Sequence, residues 1–357
     1  MSANNEKAMS EPLKDRLLDE RESAILRALV DDYILTGKPV GSRSFVQKYQ
    51  FSISPATMRN IMADLESLDY LMQPHSSAGR IPTDRGYRFY VDSLLEKYQS
   101  FNEEVQIKED VLSMELQFEK LFDSITKMLS SASKYAGIML TPSPNFAVVK
   151  RIELIPLDSS SVLAILVART GMIFTRKVKI SASLTQDALY DFSKYLNSEL
   201  CGYAMQEIKE RVIKELREER IKDSDRDMAL DIAELSMGGE SDSRLHIDGI
   251  ENLLKIPEMV EKENLNSLLS IIEEKNILRD IFEMAMQMDG IQTLIGNEIE
   301  SDHVKGCSIV STPYKIGTRS VGVIGVLGPT RMDYEKVVPL VDYTGKVISD
   351  LLTKMST

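Results

Sequence analysis

The sequence predicts an α+β multidomain protein, with a winged helix-turn-helix at its N-terminus followed by an α+β domain split by an insertion. Three observations predict it. A capped amphipathic helix runs into a short polar ribbon between Ser54 and Thr83; two sets of strand-like apolar runs lie far apart in the chain; and a highly charged helical stretch separates them. At 357 residues and 43% hydrophobic, the chain can bury more than one core.

In the first unit, Glu22 to Tyr33 places Ile25, Leu29, Val30 and Tyr33 at helical spacing and ends near Gly37. Gly41-Ser42 caps a short helix holding Phe45, Val46 and Tyr49, and Phe51-Ser52-Ile53 makes the turn. Ser54 caps the third helix, Pro55 fits its first position, and Met58, Ile61, Leu65 and Leu68 form its buried stripe. The opposite face carries Ala56, Arg59, Asn60 and Ala63, two small residues flanking two whose side chains pair with base edges in a major groove. Thr57, nearer the buried side, and Ser54 at the helix mouth belong to the same DNA-contacting set, Thr57 as a phosphate contact. Tyr70 to Met72 reads as a strand, Gly79 permits a turn, Arg80-Ile81 return, and Pro82-Thr83 start a fourth helix. The loop between the strands is the wing. Arg43, Lys48 and Arg80 are expected on phosphates, with Ser42, His75, Ser76 and Ser77 as neutral donors; a pair between Arg80 and Asp84 is the alternative. Residues 38–90 carry seven basic and four acidic side chains, a modest positive balance.

Beyond Tyr98 a helical stretch passes Leu112, Leu116, Leu121, Ile125 and Leu129 and meets Pro142-Ser143-Pro144. Strand composition follows at Val148 to Leu157, Val162 to Ala168 and Met172 to Ile180, then a helix from Thr185 to Leu200. A second strand set comes at Ile291 to Ile295, Ser308 to Tyr314 and Ser320 to Leu327, before a closing helix from Tyr334 to Leu352. The expected division is 1–98, 99–200, 201–270 and 271–357, with 201–270 inserted into one α+β domain. Within the insertion, Gln206 to Glu219 is charged on one side and carries Ile208, Val212, Ile213 and Leu216 on the other. That apolar side needs a partner surface, either the parent domain or a second copy of the chain.

Catalytic chemistry has no foothold. His75, His246 and His303 show neither metal-ligand spacing nor a nucleophile pattern, and Cys201 and Cys307 are too few and too far apart for a zinc site or a disulfide framework. Gly322, Gly325 and Gly328 lack the strand-glycine-helix order of a phosphate cradle. No enzyme activity, cofactor or metal is expected. Met1 to Glu11 is polar, and no apolar run approaches the ~18 residues that span a bilayer, so the expected location is the cytoplasm. The net charge of -12 lies mostly outside the first hundred residues, so the acidity sits away from the DNA-contacting unit.

Three runs carry a family resemblance: Tyr33 to Ser42, Ser54 to Glu66 and Gln73 to Tyr90. It continues through Leu140 to Asn145, Asp248 to Leu254 and Val326 to Tyr334. The chain resembles the heat-inducible transcription repressor HrcA family. That resemblance implies a GAF-like domain split by a dimerising insertion, a homodimer on an inverted-repeat operator in double-stranded DNA ahead of chaperone operons, and a chaperonin, GroEL, that keeps the repressor active. It favours self-association for the face bearing Ile208. A winged-helix sensor whose GAF-like domain takes a small effector is the other reading open at this stage.

Overall fold

The computed structural model describes residues 18–98, 118–142, 147–208, 244–299 and 306–356, except for 159, 170, 172, 180–184, 205–206, 262–263, 266–267 and 271–274. Val212, Ile213 and Leu216, and the helical stretch expected over 206–219 apart from 207–208, fall outside the described residues.

The N-terminal unit is α1 (Glu20–Thr36), α2 (Ser42–Tyr49), α3 (Pro55–Ser67), the two-residue strands β1 (Leu71–Met72) and β2 (Ile81–Pro82), and α4 (Asp84–Tyr98). Three helices and an antiparallel hairpin in that order are the connectivity read from the sequence. Asp19 caps α1 in a capping box with Glu22, and Gly37 ends it in the left-handed region (φ 64°) that a side chain enters at a cost. The fourth helix starts later than expected. Pro82 belongs to β2, while the Thr83 hydroxyl accepts from the Gly86 amide (3.2 Å) and donates to the Asp69 carbonyl (2.6 Å), capping α4 and tying it to the hairpin.

The rest of the chain holds two sheets. Helix α5 (Phe118–Ser133) leads into β3 (Ala136–Leu140); later come β7 (Leu245–Asp248), α7 (Ile250–Leu253), α8 (Lys275–Met286), β8 (Gln292–Ile295), β9 (Cys307–Ile316), β10 (Arg319–Pro329) and α9 (Tyr334–Ser356). The order β7-β3-β10-β9-β8 makes a five-stranded antiparallel sheet. Met139, Val310, Ile324 and Val326 face α5 and α9, whereas Ile138, Ile309, Val323 and Leu327 face Leu278 and Phe282 of α8. With helices on both faces, β10 is buried almost throughout. At Gly325 a Cβ would lie 2.6 Å from the Val310 carbonyl, so the β10 glycines serve close strand packing.

The remaining strands correct the expected domain plan. β4 (Val149–Asp158), β5 (Ser161–Ala168) and β6 (Ile173–Lys179) form their own three-stranded sheet, backed by α6 (Gln186–Leu200) around a separate core of Val149, Ile152, Val162, Ala164, Leu189 and Leu196. The two strand sets therefore do not share a sheet, and the excursion from the five-stranded sheet opens after β3 and closes at β7 instead of spanning 201–270. The physical reason is register: β3 pairs with β7, so Ile138 meets Ile247 across the sheet. Ile208 is 2% exposed in this second core, which removes it from any surface for a second copy. The outer face of the three-stranded sheet is uncovered among the described residues. It carries Leu163, Ile165 and Val167 on β5, flanked by Ile155 and Ile173 at 44% and 64% exposure.

The N-terminal unit is joined to the five-stranded sheet by one continuous core, in which Ile25, Leu29, Tyr87 and Val91 are clustered with Tyr334, Val337 and Val341 of α9. Polar contacts fix its orientation. Arg88 of α4 donates from Nε to Glu298 Oε1 (2.7 Å) and from Nη2 to Glu298 and the Thr293 carbonyl. Asp84 accepts from the Asn297 amide (3.0 Å), and Arg331 donates to the Ile34 carbonyl in the last turn of α1 (2.7 Å) while pairing with Glu258 (2.9 Å). Arg88→Met should remove the guanidinium from the Glu298 carboxylate and the Thr293 carbonyl, leaving Glu298 the Ile295 amide (2.9 Å), and lower unfolding free energy by about 1–3 kcal/mol in a urea titration.

Candidate nucleic-acid interface

The exposed face of α3 is set by its buried one. Met58, Met62, Leu65 and Leu68 are at most 3% exposed, whereas Ile61 is only half-buried, so the stripe turns slightly from the expected one and Met62 takes the place given to Ile61. The predicted outward residues are all exposed: Ala56, Thr57, Arg59, Asn60 and Ala63. Ser54 accepts from the Thr57 amide (3.1 Å), and its Oγ lies 2.9 Å from the Thr57 hydroxyl. Both groups are occupied in starting the helix, so Ser54 acts first as a cap.

Helix α2 begins differently. Its N-cap is Gly41, with no side-chain hydrogen bond, and the Ser44 hydroxyl turns back to the Gly41 carbonyl (3.0 Å). The first amides of α2 thus face outward without a side-chain acceptor, a disposition that suits an anion. Ser42 and Arg43 stand at that end, Arg43 exposed and with no ion-pair partner among the described residues.

The hairpin loop lies across from them and is braced by contacts the sequence did not announce. The Gln73 side chain donates to the carbonyls of Ser76 (3.0 Å) and Ala78 (2.8 Å), holding His75, Ser76 and Ser77 outward and exposed. Val40 and Arg80 exchange both backbone hydrogen bonds (2.8 and 2.9 Å), adding a third rung beside β2. Gly79 has no left-handed φ; a Cβ there would lie 2.4 Å from the Val40 carbonyl oxygen, so its role is this close approach and not the turn expected of it. The lone β-branched Val40 between Pro39 and Gly41 was the available signal. Together α2, α3 and the loop enclose an open cleft of about 720 Å3, lined by Ser42, Arg43, Gln47, Arg59, Gln73 and Arg80 among others.

Two predicted phosphate contacts are committed elsewhere. Lys48 pairs with Asp32 of α1, a carboxylate that holds the ammonium above the usual lysine range. Arg80 pairs with Glu66 of α3 (2.8 Å), neither free nor bonded to Asp84, whose carboxylate is taken by Asn297. Of the basic residues assigned to DNA, Arg43 and Arg59 keep unpaired guanidinium groups among the described residues. No group of histidine, cysteine and carboxylate side chains among the described residues could hold a metal, and burial pushes the Cys307 thiol up to about 12. No helix among the described residues is long and apolar enough to cross a membrane.

A three-helix reading unit with a polar, unobstructed third helix, mounted on a mixed α+β body, has the build of a transcription regulator. The comparisons assign it a family. The HrcA protein C-terminal domain matches residues 119–338. The heat-inducible transcription repressor HrcA of Geobacter sulfurreducens is 37% identical over 94% of this chain and 98% of its own length. Its namesake in Leptospira biflexa is 34% identical over 95% and 99%. A crystal structure described only as that of a hypothetical protein, at 26% identity, superposes with a TM-score of 0.65 over 95% of this chain and all of the other. This chain belongs to the HrcA family of transcription repressors, and its family is not one of enzymes. Gly79→Ala should separate the hairpin from the 39–40 backbone and cost about 1–3 kcal/mol through overpacking; amide exchange at Val40 and Arg80 should quicken while that of the five-stranded sheet is unchanged.

Proposed function

We propose that this chain is a cytoplasmic negative regulator of chaperone operons that binds an inverted-repeat operator as a homodimer. Each copy lays α3 in a major groove and its loop, as a wing, against the flanking backbone. The observation that carries this is that Arg59 lines a cleft that also holds Arg43 and the uncapped start of α2, with Asn60 exposed on the same helix. Arg59 offers a bidentate pair to guanine and Asn60 to adenine, and Ala56 and Ala63 let the helix axis approach the base edges. Thr57, Ser42, Arg43 and the loop residues His75, Ser76 and Ser77 supply backbone contacts that set register without reading sequence.

Dimerisation follows from the size of the reading unit, since one such unit covers a short half-site and two in fixed geometry turn the second contact into an intramolecular one. The five-stranded sheet with its helices is the GAF-like domain in this account, and the excursion between β3 and β7 is the dimerising segment. The uncovered Leu163, Ile165, Val167, Ile155 and Ile173 face supports that role: a stripe of this kind, rimmed by Arg151, Glu153 and Lys177 of both signs, suits a two-fold copy of itself. Ile165→Asp should convert a sedimenting dimer into a folded monomer with loss of operator affinity; a dimer that persists puts the interface elsewhere.

The family resemblance further implies that chaperonin GroEL keeps the repressor active until unfolded clients occupy it. An electrophoretic shift on the upstream region of a chaperone operon, with and without chaperonin, tests both parts. Operator retardation should strengthen with chaperonin. Arg59→Ala and Asn60→Ala should each lower preference for the operator over scrambled DNA by about 5- to 150-fold. Parental preference in folded Arg59 and Asn60 variants would remove α3 from the groove.

A further inference from the structure

Glu66 occupies a costly place for a carboxylate. It lies in the last turn of α3, where the helix dipole disfavours negative charge, and stands i+7 from Arg59 and i+3 from Ala63, on the face assigned to DNA. Its neighbour explains how it is held there. Arg80 Nη2 is 2.8 Å from Glu66 Oε2, with the two side chains 17% and 34% exposed. The Arg80 backbone is fixed at both its amide and its carbonyl by Val40, so only the side chain can change partner. That side chain borders the cleft between α2, α3 and the loop, and its Nε is buried with no hydrogen-bond partner.

We propose that Glu66 is an internal competitor for a DNA phosphate, holding Arg80 in the free protein and surrendering it to the backbone when the duplex enters the cleft. The proposal rests on the winged-helix function given above. A carboxylate offers a guanidinium the same paired oxygens as a phosphodiester, so the exchange replaces one charge-assisted contact with another. It also leaves Glu66 facing a polyanion. The chain thereby forgoes roughly one phosphate contact of sequence-independent affinity, and tight binding must come from base edges read by Arg59 and Asn60. Glu66 is in this sense a specificity-setting residue that touches no base.

The test is fluorescence anisotropy of the full-length chain on a labelled inverted-repeat duplex and a scrambled duplex of equal length, from 50 to 200 mM KCl. Glu66→Gln should tighten binding to both duplexes by a similar factor, about three- to tenfold at 100 mM, and steepen the salt dependence by about 0.9 per bound chain. That advantage should shrink about threefold per chain across the salt range. Arg80→Ala should weaken binding. Adding Glu66→Gln to it should recover affinity by relieving repulsion without changing the slope, which separates exchange from simple charge removal. Glu66→Ala serves as a second variant, and circular dichroism verifies that α3 persists. An unchanged or shallower slope in folded Glu66→Gln and Glu66→Ala overturns the competitor while leaving DNA binding intact. No DNA binding by the parental chain at any salt overturns the winged-helix function and the competitor with it.

Discussion

Everything that the reading unit can do depends on the apolar seam between it and the α+β body. Ile25, Leu29, Tyr87 and Val91 are packed in one cluster with Tyr334, Val337 and Val341, so the first helices and the last helix share a core. Close-packed interiors transmit displacement instead of absorbing it, and α3 is tied to this core through Met58, Met62 and Leu65. The charged contacts at the rim, Arg88 with Glu298 and Arg331 with Glu258 and the Ile34 carbonyl, give the seam a definite angle. For the dimer proposed above, the angle of each reading head would be set first by the body on which it is mounted. A shared core does that better than a flexible linker, whose many lengths would spread the heads over many spacings.

Charge is arranged with the same economy. The positive balance over residues 38–90 looked modest in the sequence, and the structure reduces it further, because Lys48 faces Asp32, Arg80 faces Glu66 and Arg88 faces Glu298. An exposed pair such as Lys48 with Asp32 contributes little stability. The larger effect of these pairs is on which cations remain available. With Arg43 and Arg59 the unpaired assigned cations among the described residues, non-specific attraction to a polyanion would be restrained in the proposed complex, and sequence reading would carry more of the binding. A heat-shock repressor in a genome full of competing sites is served by that balance.

The legible parts of the sequence were the local ones. Ser54, Thr185 and Gly37 mark helix ends through their own side chains or backbone preference, and the third helix showed its outward face because a 3.6-residue period survives without tertiary help. Met62 was missed because Ile61 and Met62 are both apolar neighbours near the stripe edge, and packing against the core decides between them. The strand grouping was illegible for a different reason. β3 and β7 are adjacent in the sheet but separated by the whole excursion, and nothing in a two-residue period says which distant strand will be a partner. Likewise, the pairing of Arg80 with Glu66 instead of Asp84 depends on how the hairpin folds back along α3, a tertiary matter that a charge count cannot resolve.

The shared core makes the reading unit and the α+β body one cooperative structure. Native-state amide hydrogen exchange across a urea series tests this cooperativity most directly. The slowest amides of Ile25 to Val30 in α1 and of Val321 to Val326 in β10 should open with the same free energy and the same urea dependence. A reading unit whose α1 amides exchange through a separate opening of lower free energy and smaller urea dependence, while β10 remains protected, would contradict the account.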